Sequence, residues 1–563
     1  MTGESEDRFW FYVLDPGLLV QGSNLLAVEV HQNAADSPDL SFDLALSDIP
    51  PPELLRGPYL QLGTDQSVRI RWRTFSSSDS AVLYGPAPGN LNQLVSVPGH
   101  TTEHEVELTG LQPDTVYYYA IGSTSGGILS GNDLQHFFRT HPPAGENRPF
   151  RAWILGDSGT ANTDARAVRD AYQTYTGSAH TDLWLMLGDN AYENGEDVEF
   201  QAAVFETYPE MLRKSVLWPT RGNDENSEAV YYGIFSMPTQ GQAGGLASGS
   251  EAYYSFDFAN VHFVCLDSDT SSRLPGGPML TWLENDLAST MQPWIVAFWH
   301  HPPYSKGGHD SDVDADSGGR LRDMRQYALP ILEAYGVDLV LTGHSHSYER
   351  SFLIDGHYGY STSFNPLTML IDGGDGNPNG DGAYQKEIGP HAGTVYCVAG
   401  SSGSISSSGS LDHPVMYTSL RSLGSLVLEV DDLRMEVKFL DHQGQVQDSF
   451  TLWTGDTPLV FSTTGLFAGF MTSLIVNGAD PGNAVYFLYS LTGSGPTQTQ
   501  FGVMDLTMPI TQLGPVTADG QGKAILSTSI PASAAGRSVY LQAFELQGVG
   551  VGRFSNPLTE WVH

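Results

Sequence analysis

The sequence predicts a multidomain protein in which an α/β layered domain is flanked by all-β sandwich domains. Three observations carry this prediction. Five short apolar runs recur between about residues 148 and 450, and each delivers a polar residue at the same end. Helix-like amphipathic segments alternate with them, the mark of a layered α/β fold. On either side, the chain changes to period-two alternation broken by turn residues, the pattern of small β-sandwiches.

The five runs are the centre of the reading. AWIL (152–155) ends in Gly156-Asp157. LWLML (183–187) ends in Gly188-Asp189, with Tyr192 three residues on. SVLWPT (215–220) leads through Arg221-Gly222 to Asn223-Asp224-Glu225. WIVAFW (294–299) ends in His300-His301, and VDLVLT (337–342) ends in Gly343-His344-Ser345-His346. A continuous apolar run that stops at a turn reads as a buried parallel strand. Ligands bind beyond the carboxyl ends of such strands. One Asp after one strand would simply cap the next turn, but five runs with the same ending make a constellation.

Composition bounds the function. A chain of 563 residues holds several domains. With 26 basic against 64 acidic residues, the net charge is −38. That repels phosphate backbones and argues against duplex nucleic acid as a partner, while a small phosphate substrate stays compatible because a metal centre supplies local positive charge. The acidity itself reads as a solubility feature. There is no transmembrane run of 18 or more apolar residues, and no basic-then-apolar leader follows Met1. Cys265 and Cys397 lie in apolar strand-like runs, which favours buried free thiols, with a disulfide as the alternative.

In chain order, residues 1–51 resemble the closing strands of a galactose-binding-type β jelly roll. They are too few to bury a core alone, so they read as a remnant that docks elsewhere, or the chain is a fragment. Pro50-Pro51-Pro52 separates them from a β-sandwich expected over 52–142. There Trp72 is a core aromatic, and Leu111, Pro113, Thr115, Tyr117 and Tyr119 fall at period two, resembling the fibronectin type III pattern. The α/β domain is expected over 147–452. It includes helices in TWLENDLAS (281–289) and ALPILEAYG (328–336), and a hairpin from AYYSFDF (252–258) to VHFVCLD (261–267). Residues 456–563 read as a C-terminal β-sandwich without a chemical motif.

Asp, Tyr, Asn and His without thiolate suit zinc, iron or manganese rather than a structural sulfur site. Seven such residues suit two ions sharing one carboxylate, and a pair of metals clamps in-line displacement at phosphorus. The residues alone therefore point to metal-assisted hydrolysis of a phosphate ester.

GDSG (156–159), GDNAY (188–192), GNDE (222–225), the first His of FWHHPPYS (298–305) and GHSHSYER (343–350) resemble the metallophosphoesterases. More narrowly they resemble the purple acid phosphatases, in which a fibronectin-like domain precedes the catalytic one. The resemblance covers roughly residues 55–450 and implies a four-layer αββα sandwich. It implies that Asp157, Tyr192 and His346 hold a ferric ion, and that Asn223, His300 and His344 hold a divalent zinc, manganese or iron. Asp189 would bridge the two, and a metal-activated hydroxide would attack phosphorus. The implied activity is acid phosphatase action on monoesters. Alternatives are a phosphodiesterase or nucleotidase on the same site, or a non-catalytic glycan-binding surface protein with a relict centre. An extracellular, periplasmic or cell-surface location is implied by the family, and a glycan or surface contact by the β modules.

A leaving alkoxide needs a proton, and His309 and His301 are the catalytic candidates, with His309 at the family's substrate-facing position and His301, beside a ligand and before Pro302-Pro303, reading equally as packing behind the ligands. His31, His262 and His391 are read as structural. Asp224 departs from the family, which has histidine there, and puts a carboxylate where a phosphate dianion would approach. Alternating Asp310, Asp312, Asp314 and Asp316 lack the glycine of a calcium loop and are expected to be solvated. The run IDGGDGNPNGDG (371–382) is expected to form turns lining the cleft.

Overall fold

The computed structural model describes residues 53–454, 459–480, 482–519, 522–548 and 551–563. The expected jelly-roll remnant over 1–51, the proline break and His31 lie outside the described residues. The chain divides into two compact units. One extends to Tyr384 and resumes over Ile388–Leu452, and the other comprises Gln385–Glu387 and Trp453–His563.

The first unit begins with six connected strands between Leu54 and Arg139. The long strand Ser67–Gly85 pairs with Leu54–Gln61 through its first half and with Val116–Ser123 through its second. Trp72 is buried among Ile70, Val106 and Leu108. Tyr117 takes a hydrogen bond from the backbone of Gln112 (3.0 Å) on its hydroxyl, fixing the corner where the chain enters Val116–Ser123. This β region is packed into the α/β region that follows. Arg56, fully buried, donates to Asp197 (3.0 Å) and Gln201 (2.9 Å) and lies over the Phe205 ring.

Two seven-stranded sheets make up the α/β region. In one, Phe150–Leu155, Leu183–Leu187 and Val216–Thr220 run parallel, and Gly424–Asp431 and Arg434–Asp441 continue it antiparallel. In the other, Val261–Cys265, Trp294–Phe298, Leu339–Thr342 and Val395–Ala399 are parallel. Tyr254–Phe258 forms the expected hairpin at one edge.

Strand alternation explains the layers. Phe263, Val296, Phe298, Leu339 and Leu341 join one core with residues of the first sheet, while their neighbours Val264, Ile295, Ala297 and Val340 pack with Leu283, Leu287 and Leu329 from helices. On the opposite side, Trp153 stacks on Tyr172 of helix Thr163–Thr176 (ring centroids 4.3 Å). Helix, sheet, sheet and helix therefore follow in order. Strands buried on both faces need apolar residues at every position, which is why the runs read as continuous.

The expected helix over 281–289 spans Pro278–Ser289, beginning earlier because proline suits a first helical turn. The one over 328–336 is regular only over Leu329–Ala334 and follows a wide helical turn, Met324–Ala328. Both cysteines are buried and free. No described helix is long and apolar enough to cross a membrane.

In the second unit, a 3-stranded and a 5-stranded antiparallel sheet enclose Phe461, Leu474, Val476, Val485, Phe487, Leu541 and Ala543.

Candidate metal centre

The five strand ends meet. Asp157 and Asp189 follow strands of the first sheet, and His300 and His344 follow strands of the second. Asp157 (φ 55°), Asp189 (φ 49°) and His344 (φ 67°) each sit in the left-handed region directly after a glycine. Asp and His tolerate that region better than most residues, and strain of this kind collects at functional sites. The glycines are required by close approach: a Cβ on Gly343 would lie 2.5 Å from Asp157 Oδ2, and one on Gly222 2.1 Å from Asp189 Oδ1.

Two groups of donor atoms converge. In the first, Tyr192 Oη is 3.3 Å from Asp157 Oδ1 and 3.2 Å from His346 Nε2, and those two atoms are 3.3 Å apart. In the second, His300 Nε2 is 3.1 Å from Asn223 Oδ1, 3.1 Å from His344 Nδ1 and 3.4 Å from Asp189 Oδ1. Bonds of about 2.1 Å at right angles place neighbouring donor atoms roughly 3 Å apart. The separations in both groups, 3.1–3.4 Å, are close to that spacing.

Each of these three histidines is held through its other ring nitrogen. His300 donates from Nδ1 to the Leu187 carbonyl (2.9 Å), which turns Nε2 toward Asn223, His344 and Asp189. His346 uses Nδ1 with Ser404 Oγ (2.8 Å), and His344 uses Nε2 with Ser317 Oγ (2.6 Å). Such outer partners fix ring tautomer and orientation in metal sites.

Acidic groups crowd one another at this centre. Burial and the carboxylates of Asp157 and Asp189 push the Tyr192 phenol up. Burial and Asp189 push Asp224 up to about 7 and Glu225 up to about 8. Against the cost of its burial, Asp189 is held low by His300, which is itself pushed up to about 10 by the same partner. Acidic groups share protons here that bound cations would replace.

Of the two histidines considered as proton donors, His301 is fully buried, with Nδ1 on Ser268 Oγ (2.9 Å), and burial holds it well below its ordinary range. His309 is partly exposed, stacks on His344 with centroids 3.8 Å apart, and donates from Nδ1 to Asp316 Oδ1 (2.8 Å). Asp224 is half-buried beside the centre, its backbone N–H on Asp189 Oδ1 (3.0 Å). His262 is in the core between Asp257 and Asp286, and His391 is on the surface with Asp355.

Several supporting residues carry no signal that sequence reasoning recognised. The buried Glu225 carboxylate accepts from the backbone N–H groups of Asp189 (3.2 Å), Asn190 and Gly222 (2.6 Å). Glu349 accepts from Ser305 Oγ (2.6 Å), Ser347 Oγ (3.0 Å) and the Lys306 backbone (3.2 Å), tying the His309 loop to the His344 loop. The acidic loop expected to be solvated is instead pinned. Lys306 binds Asp310 and Asp312, Tyr360 donates to Asp314 (2.9 Å), and Asp316 holds His309. The run 371–382 forms turns as expected, but Asn377 donates to Ser449 (3.2 Å), outside the loops that carry the donor groups.

Comparison with known proteins agrees with this geometry. Residues 150–348 match the calcineurin-like phosphoesterase family and residues 56–140 the purple acid phosphatase N-terminal domain. The chain is 30% identical over 315 residues to purple acid phosphatase 15 of Arabidopsis thaliana, covering 48% of this chain and 53% of that protein. It is 29% identical over 323 residues to acid phosphatase type 7 of Mus musculus, covering 51% and 68%. The chain thus spans about half the length of the first relative. Purple acid phosphatase PPD1 from yellow lupin (Lupinus luteus) shares the fold with a TM-score of 0.56 at 18% identity, over 71% of this chain and 75% of that one.

Proposed function

We propose that this chain, which carries the domain pair of the purple acid phosphatases and belongs with them, is a dinuclear-metal hydrolase of phosphate monoesters. The observation that carries the reading is the pair of donor groups at cation spacing. Asp157, Tyr192 and His346 would hold one ion, Asn223, His300 and His344 the other, and Asp189 would lie between them. The phenol of Tyr192 suits a ferric ion in the first position, and the imidazole-rich second suits zinc, manganese or ferrous iron. When bound, the metal pair neutralises charge on the phosphoryl group and makes water a nucleophile at acid pH.

The chain's own residues do the rest. His309, oriented by Asp316, has Nε2 available to protonate a leaving alkoxide. His301, buried and neutral, packs behind the ligands and supports His344. Asp224 places a carboxylate beside the site, which disfavours dianionic substrates and favours the second reading, a diesterase or nucleotidase on the same centre. The reading extends to a location outside the cytoplasm, supported by the β modules on either side of the catalytic region.

Elemental analysis with a panel of monoester and diester substrates tests the proposal. Two metals per chain and monoester turnover are expected, with visible absorption in the iron-loaded protein that Tyr192→Phe removes. Failure to bind metal, or loaded protein inert on both ester classes, overturns it.

A further inference from the structure

The loop Asp316-Ser317 is attached to two parts of the proposed machinery at once. Ser317 Oγ donates to Asp316 Oδ1 (2.8 Å), so its lone pairs face His344, whose Nε2 is 2.6 Å away. With the hydroxyl proton assigned to Asp316, the proton between them is assigned to His344 Nε2. That leaves His344 Nδ1 unprotonated, and Nδ1 is the nitrogen that faces His300 Nε2 at 3.1 Å. The same Asp316 oxygen accepts from His309 Nδ1 (2.8 Å), and the His309 ring lies flat on His344, at 24° between planes. Asp316 Oδ2 is held in turn by the backbone N–H of Asp310 (2.9 Å). One carboxylate thus reaches the proton-donor candidate directly and a metal-ligand candidate through a hydroxyl.

We propose that Asp316 and Ser317 form a positioning pair, with Ser317 setting the tautomer and orientation of His344 for metal binding and Asp316 holding His309 against it. The proposal rests on the dinuclear reading for its purpose, but its geometry is independent of any substrate. The backbone supports a functional origin. Ser317 adopts φ 49°, ψ 33°, a conformation glycine takes at lower cost, and Gly318 and Gly319 follow it with positive φ. A serine kept in a glycine conformation has its hydroxyl as the thing to offer.

This backbone also provides the test, because the informative variant, Ser317→Gly, relieves strain while deleting the hydroxyl. Three quantities are measured on the full chain: the unfolding temperature of the metal-free protein, Zn2+ affinity by chelator competition, and the His344 tautomer by long-range 1H–15N correlation in metal-free, histidine-labelled protein. The pair predicts wild-type His344 protonated on Nε2. It predicts that Ser317→Gly mixes the tautomers and weakens Zn2+ binding by about 10–100-fold, with no fall in unfolding temperature. Asp316→Ala should weaken Zn2+ similarly and lower turnover of alkyl phosphates more than of nitrophenyl phosphate. Asp314→Ala, on the same loop, should do neither. Wild-type His344 protonated on Nδ1, or unchanged Zn2+ affinity in both Ser317→Gly and Asp316→Ala, overturns the pair. If the wild type binds Zn2+ yet hydrolyses no phosphate ester, the proposed function fails while tautomer and affinity still decide the pair.

Discussion

The backbone N–H of His344 donates to Oδ2 of Asp157 at 2.7 Å, joining the end of a strand in one sheet to the end of a strand in the other. With Oδ2 held there, Oδ1 of Asp157 is the atom turned to Tyr192 and His346. The two donor groups are therefore coupled through the main chain. A shift between the sheets would displace both together. Clamps of this kind hold the seven candidate donors of the proposed centre in place.

Glu225 is a second clamp. Its carboxylate gathers three backbone N–H groups from two loops. Glu225→Gln keeps the size but turns an amide NH2 toward at least one donor, and an orphaned buried N–H costs roughly 1–3 kcal/mol. Above about pH 8, where the wild-type carboxyl is ionised, metal-free Glu225→Gln should lose about that much stability in urea unfolding and bind metal more weakly. Unchanged unfolding would show that the carboxylate is dispensable to the loops.

His309→Ala should separate substrates by leaving group. A general acid contributes about 10²–10⁴-fold where the leaving group is a poor one. Loss on alkyl phosphates should exceed loss on aryl phosphates in steady-state kinetics. Equal losses would assign His309 to phosphate binding.

Above about pH 7, where Asp224 is ionised, Asp224→His and Asp224→Asn both remove a negative charge beside the centre. At about 4 Å a unit-charge pair is worth roughly 4 kcal/mol at an effective dielectric of 20. Even a third of that is about a tenfold effect. Both variants should raise kcat/KM on dianionic monoesters by about tenfold and on monoanionic diesters by less. A flat response would mean that residue 224 does not face substrate.

Away from the centre, His262 makes stability depend on pH. Its two nitrogens donate to Asp257 (2.7 Å) and Asp286 (2.9 Å), and despite the cost of burial these carboxylates push it up to about 9. The folded value lies above the ordinary 6.5, so the contribution is complete below pH 6.5, falls between 6.5 and 9, and is gone above. The size is on the order of 3 kcal/mol. The gap between wild type and His262→Gln in denaturant midpoint should narrow from pH 6 to pH 9.5.

The sequence by itself determined the strands, the residues at their ends and the chemistry those residues share. Apolar runs such as Leu183–Leu187 are legible because a parallel strand buried on both faces admits apolar side chains throughout, and the glycine and ligand type after it are local properties of the chain. The hairpin at Ala259-Asn260 was legible for the same reason, its register following from alternation within a few residues. Only the tertiary structure decided which histidine reaches solvent, which nitrogen each presents, and what holds the loops. Ser404 meets His346 across 58 positions and Ser317 meets His344 across 27. Serines in glycine-rich loops look alike in sequence. Glu225 stood next to the recognised Asn223 and Asp224, yet its role depends on where the Asp189 loop arrives. Partners brought together by packing two sheets leave no periodic trace along the chain, because the distance that matters is closed only when the core forms.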